Sequence, residues 1–164
     1  PYTLAMLMTE SSAGLSQGKG VDIQAIDISA RAIDDATRGV WGDYSMKNVP
    51  FAYRKKYFKT GEDGHILEPA WREKLGRMVK FSRANLINRD QMARFRGMDA
   101  VFCCNVLTYF REEARIETVG LLRELLLPGG YLFLAQTELA RKSPVGMETL
   151  MFPKAVVYRK RDAV

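Results

Sequence analysis

The apolar positions along the 164 residues change period several times, and each change predicts an element. Residues 1–14 place Leu4, Leu7 and Met8 at helical spacing between an opening proline and a closing glycine, the ordinary start and stop signals of a helix. Residues 21–27 (V-D-I-Q-A-I-D) alternate as a short β-branched strand. Ser29 then opens a helix that runs through Ala30, Ile33 and Ala36 and stops at Gly39. Residues 40–50 show no period and predict a loop, followed by a short basic helix over 51–57. Beyond it, Tyr57-Phe58 and His65-Ile66-Leu67 flank Gly61-Glu62-Asp63-Gly64, which predicts a hairpin.

The second half repeats the strand–helix theme. A brief helix is predicted near 70–75 and a strand over 79–82. Residues 99–104 (D-A-V-F-C-C) form an apolar run of the kind buried on both faces of a parallel sheet, so the core of the sheet is expected there. Residues 111–127 give the clearest helix, with Ile116, Val119, Leu122, Leu125 and Leu126 along one side and Pro128-Gly129-Gly130 as its stop. Strands follow at 131–135 and 156–158. Strands alternating with helices predict a mostly parallel, doubly wound α/β sheet.

Composition narrows the class. At 47% hydrophobic and 27% charged the chain has the balance of a globular domain, and it holds no apolar run long enough to span a bilayer. The start has neither the basic flank nor the cleavage site of a secretory signal, so a cytoplasmic location without membrane insertion is expected. The two cysteines, Cys103 and Cys104, are adjacent and lie in the apolar run. That spacing suits neither a disulfide framework nor a metal site and predicts two buried thiols in a strand. The net charge of +6 is spread along the chain, and the runs Arg54-Lys55-Lys56 and Arg159-Lys160-Arg161 read as solvated faces, not as a nucleic-acid stripe.

In open α/β sheets ligands bind beyond the carboxyl ends of the strands, which directs attention to the residues just after each one. Asp27 closes the first strand, where a carboxylate either accepts hydrogen bonds from ribose hydroxyls or caps the following helix. Asn85 follows the strand at 79–82, where a carboxamide either pairs with an adenine edge, beside Leu86, or makes an ordinary turn. Asn105 ends the apolar run and leads to Tyr109, whose phenol either faces the mouth of the sheet or packs in the core. Gly129-Gly130 follows a helix and precedes a strand, the wrong order for a phosphate loop. His65 lies in the hairpin with no partner carboxylate evident in the sequence, which argues against a catalytic or ligand role.

With Asp27, Asn85 and the block F-C-C-N-V-L-T-Y-F over residues 102–110, the chain resembles the CheR family of chemoreceptor glutamate methyltransferases, whose members carry F-C-R-N-V-x-I-Y-F. The similarity continues in order along the chain. Ala25-Ile26-Asp27-Ile28-Ser29 resembles the family's acidic turn, Tyr57-Phe58 its R-Y-F, residues 79–86 its V-x-F-x-x-x-N-L, and residues 128–134 its P-G-G-Y-L-F-L. The resemblance implies a Rossmann-like class I methyltransferase domain over residues 1–164, with a small hairpin and helix subdomain at 54–76. It implies methyl transfer from S-adenosylmethionine to the γ-carboxylate of receptor glutamates, leaving S-adenosylhomocysteine, with no metal. Asp27 would hold the ribose, Asn85 and Leu86 the adenine region, and Cys103, Cys104 and Asn105 the rest of the cofactor, while Tyr109 would act at the reacting centre. Such a reaction requires no acid–base pair, because a carboxylate is already ionised at neutral pH and alignment and desolvation supply the catalysis.

Departures from the pattern carry their own expectations. Cys104 stands where the family has arginine, and Ala135-Gln136-Thr137-Glu138 where it has H-S-E-S. The short turn at residues 59–64 replaces a longer glycine-rich loop, which predicts docking on chemoreceptor helices or a related signalling protein without capture of a C-terminal pentapeptide. The family's G-x-x-T-G-E-E loop, which wraps the methionine part of the cofactor, belongs before the position of Pro1. The sheet is therefore expected to be completed by an upstream segment or a partner chain between the strands at 21–27 and 99–104. A catalytically degenerate regulatory module is the competing expectation, motivated by Cys104 and that loop.

Overall fold

The structure is a computed structural model that describes residues 1–11, 20–139, 143–153 and 155–162. The chain divides into two compact units, Pro1–Ala84 and Asn85–Val164.

The first unit opens with α1 (Tyr2–Glu10), followed by β1 (Ile23–Asp27), α2 (Ala30–Arg38), β2 (Val40–Trp41), α3 (Asp43–Met46) and α4 (Phe51–Tyr57). It ends with β3 (Phe58–Gly61), β4 (Gly64–Leu67), α5 (Pro69–Gly76) and β5 (Val79–Arg83). β1 and β5 pair in parallel, with Ile23 opposite Val79 and Asp27 opposite Arg83. The predicted hairpin forms, with Gly61 opposite Gly64, and β2 joins its other side through Val40 and Trp41. Gly64 permits this third strand: its φ is +138°, and a Cβ there would lie 2.7 Å from the carbonyl oxygen of Trp41. Ala5, Met6, Tyr57, Leu67, Leu75, Met78 and Val79 form the core of this unit, with Trp41, Phe58 and Trp71 packed around it. Burial and a hydrogen bond to Glu10 push the Tyr57 phenol above its ordinary pKa, so it stays a neutral donor to that carboxylate.

The second unit contains α6 (Arg89–Ala93), β6 (Met98–Cys103), α7 (Glu112–Leu125), β7 (Leu126–Leu134), β8 (Met147–Phe152) and β9 (Ala155–Lys160). Its sheet runs β6-β7-β9-β8. β6 and β7 are parallel, with Cys103 opposite Leu134, and the remaining pairs are antiparallel. Leu121, Leu122 and Leu125 of α7 are buried with Leu132 and Leu134 of β7 and Val157 and Tyr158 of β9.

Several expectations give way. α1 buries Ala5 and Met6, not Leu7 and Met8, while the closing glycine at 14 lies outside the described residues. The loop predicted at 40–50 holds β2 and α3, because its strand is short and defined by long-range pairing, not by its own period. α7 stops at Leu125, and Leu126 begins β7, so the Pro-Gly-Gly run lies inside the strand assignment; Ile116 faces solvent. The apolar run at 99–104 is not a core strand. β6 has β7 beside it and no strand on its other edge among the described residues, and Phe102 is 48% exposed, stacked on Phe133 at 4.3 Å. β1 likewise has β5 as its one strand neighbour among the described residues. Cys103 is buried, but Cys104 lies past the strand end and is exposed. The charged runs are partly tied to backbone: Arg54 donates to the carbonyl of Val49 at 2.8 Å and Lys160 to that of Leu126 at 2.6 Å. His65 also acquires a carboxylate, Asp43 at 2.7 Å, from the segment read as loop.

Candidate functional site

The candidate residues stand at strand ends in both units. In the first, Asp27 is the last residue of β1 and is exposed. Its Oδ1 accepts the N–H of Ser29 at 2.8 Å, turning the chain out of the strand, while Ser29 Oγ accepts the N–H of Ala32 at 3.3 Å and caps α2. The capping alternative for Asp27 therefore passes to Ser29. Asp27 keeps a solvent-facing carboxylate at the carboxyl end of a parallel strand, an acceptor of the kind ribose hydroxyls donate to.

In the second unit, Asn85 opens a turn closed by the N–H of Asn88 on its carbonyl at 3.0 Å. Its side-chain oxygen accepts from the N–H of Ile87 at 3.2 Å, and its own N–H donates to Gln91 Oε1 at 2.8 Å. The turn role is real, and it leaves the carboxamide nitrogen without a hydrogen bond among the described residues. Leu86 is half-buried beside it.

After Cys103 the chain leaves β6 through Cys104 and Asn105, passes into a 3-10 turn over Leu107–Tyr109 and enters α7. Asn105 has φ 62°, the left-handed region that asparagine tolerates better than most residues with a Cβ. Leu107 is fully buried and pins the turn from below. Tyr109 is 85% exposed, which removes the core alternative for it.

The residue that organises this loop is one the strand-end reasoning did not select. Glu138 is only 1% exposed, yet it carries a carboxylate. Oε2 accepts the N–H groups of Asn105 at 2.8 Å and Ala135 at 3.1 Å, and Oε1 those of Leu107 at 2.6 Å and Thr108 at 3.3 Å. Burial alone would raise its pKa, but these backbone donors outweigh burial and hold it below the usual carboxylate range. Arg115 fixes the backbone beneath, donating to the carbonyls of Glu138 and Leu139 at 3.1 and 3.2 Å. Burial, with the Glu138 charge second, pushes the Cys103 thiol up to about 12 and the Cys104 thiol up as well. Both shifts favour the neutral thiol.

Each unit, taken by itself, presents polar groups of the kind an adenosine-containing cofactor engages. An exposed carboxylate stands at one strand end, and a free carboxamide nitrogen and an anchored polar loop stand at two others. No group of three potential metal ligands occurs among the described residues, and no helix among them is long and apolar enough to cross a membrane.

Comparison with known proteins identifies the family. Residues 1–156 match the family described as CheR methyltransferase, SAM binding domain. The chain is 32% identical over 160 residues to the probable biofilm formation methyltransferase WspC of Pseudomonas aeruginosa, covering 98% of this chain and 36% of that protein. It is 31% identical to chemotaxis protein methyltransferase 2 of Vibrio cholerae, covering 98% of this chain and 54% of that protein. The corresponding values for chemotaxis protein methyltransferase 1 of Pseudomonas aeruginosa are 31%, 98% and 58%. The chain thus spans between about a third and three fifths of the length of these relatives. With the family matched over residues 1–156, the chain belongs to the CheR methyltransferases, as their S-adenosylmethionine-binding α/β domain.

Proposed function

We infer that the protein transfers the methyl group of S-adenosylmethionine to the γ-carboxylate of glutamate residues in chemoreceptor proteins, giving a methyl ester and S-adenosylhomocysteine. The observation that carries this reading is the family match over residues 1–156. When bound, S-adenosylmethionine supplies a methyl group on a sulfonium, an electrophile that an ionised carboxylate attacks without a base. Asp27 accepts the ribose hydroxyls, Asn85 and Leu86 hold the adenine, and the strand-end segment Cys103, Cys104 and Asn105 lines the remaining cofactor surface. Tyr109 faces the incoming carboxylate and orients it. These residues align and desolvate the reactants, and no proton moves in the transfer itself.

The partner is a chemoreceptor's cytoplasmic helix or a related signalling protein. Because the β3–β4 turn holds just Glu62 and Asp63 between paired glycines, docking proceeds without capture of a C-terminal pentapeptide. The direct test is incubation with methyl-labelled S-adenosylmethionine and a chemoreceptor cytoplasmic fragment. Label released as methanol by mild base is the expected result. Base-stable label, or none, would refute the glutamyl ester.

A further inference from the structure

We propose that Glu138 is a positioning residue, a buried carboxylate clip that sets the shape of the cofactor-facing loop from Asn105 to Tyr109. The proposal rests on the S-adenosylmethionine reading above and extends it to a residue that touches neither cofactor nor substrate.

The geometry makes the case. β6 and β7 are adjacent parallel strands whose last paired residues are Cys103 and Leu134, so the segments after them leave the sheet side by side at its ligand-binding end. Glu138 stands in the segment after β7 and accepts from both. One N–H comes from its own segment, that of Ala135, and three come from the segment after β6: Asn105, Leu107 and Thr108.

A carboxylate offers about four lone-pair sites, and here four backbone donors use them. Placing an ion where 1% of the residue is exposed is costly unless charge-assisted hydrogen bonds offset it. Those bonds fall on the backbone of the loop that carries Asn105 in its left-handed conformation and leaves Tyr109 in solvent. With Leu107 buried, the loop is held at three backbone points, while Asn105, Val106, Thr108 and Tyr109 are exposed. Glutamine at 138 could not do the same, because its single oxygen serves one side of the clip and its amino group would face N–H donors on the other.

The test measures S-adenosylhomocysteine binding by calorimetry in the wild type, in Glu138→Gln and in Leu132→Ala, a control that opens a cavity in fully buried β7 packing. All are measured below their melting transitions. Glu138→Gln is expected to lose at least tenfold in affinity while Leu132→Ala stays within twofold of the wild type. Backbone exchange by NMR should rise in Glu138→Gln at Asn105, Leu107, Thr108 and Ala135 ahead of the rest of the unit.

If Glu138→Gln does not fold, Arg115→Met replaces it. That change loosens the backbone that presents the carboxylate, and a severalfold loss of affinity is expected. Unchanged affinity in the variant, or equal loss in Leu132→Ala, would overturn the positioning role. A wild type that does not bind S-adenosylhomocysteine overturns the functional reading, and the proposal with it.

Discussion

The ends of β1 and β6 solve one problem in two ways. At the end of β1 everything is local: Asp27 bends the chain by accepting from Ser29, and Ser29 caps the next helix, all within a few residues. At the end of β6 the loop is held by Glu138, which lies about thirty residues further along the chain. The local end is cheap to form and exposed. The distant clip costs the desolvation of a charge and yields a fixed backbone on which an exposed tyrosine can stand.

The difference is testable, and the largest effect belongs to the clip. Glu138→Ala leaves several backbone N–H groups without a charged acceptor and should cost the second unit about 3 kcal/mol in chemical denaturation. A pH titration reads the same contact with a definite sign. Because the folded pKa of Glu138 is depressed, its stabilisation is fully present above the unfolded carboxylate pKa and is lost as pH falls through the folded value. Protection of the Leu107 amide should therefore persist through the ordinary carboxylate range and fail only below it. Loss of protection at pH 5 to 6 would contradict this.

A second long-range junction behaves alike on a smaller scale. Gly64→Ala places a Cβ against the carbonyl of Trp41 at a φ that disfavours side chains, and should destabilise the first unit by about 2 kcal/mol, read as a lower melting point. The local end is weaker still. Ser29→Ala removes one cap and should cost about 1 kcal/mol, with helix α2 fraying first in amide exchange.

That ranking also explains what the sequence reveals. β1, α2 with its cap at Ser29 and stop at Gly39, the hairpin and β5 are all readable, because period, cap and turn residues lie within the element itself. β2 and β8 are not, since a two-residue strand has no period, and the M-E-T-L-M-F of β8 is defined by its pairing with β9. The apolar β6 reads as a core strand because composition reports burial tendency and not which strands pair beside it among the described residues. The site divides the same way. Asp27, Asn85, Asn105 and Tyr109 are visible as strand-end residues, whereas Glu138 is one glutamate among many until its distance from the Asn105 amide is known. Its place after a β-strand in an α/β pattern, in the segment that stands where the family has H-S-E-S, points to the same end of the sheet.

The change with the smallest structural effect gives the sharpest functional test. Asp27→Asn keeps an oxygen for the Ser29 N–H and removes the charge, so stability should stay within about 0.5 kcal/mol of the wild type. Calorimetric titration of S-adenosylhomocysteine into both proteins tests the cofactor site directly. A single binding event in the wild type, weakened at least tenfold in Asp27→Asn, is the predicted result. No binding by the wild type, or equal affinity in the two, would contradict the assignment of this strand end to the cofactor.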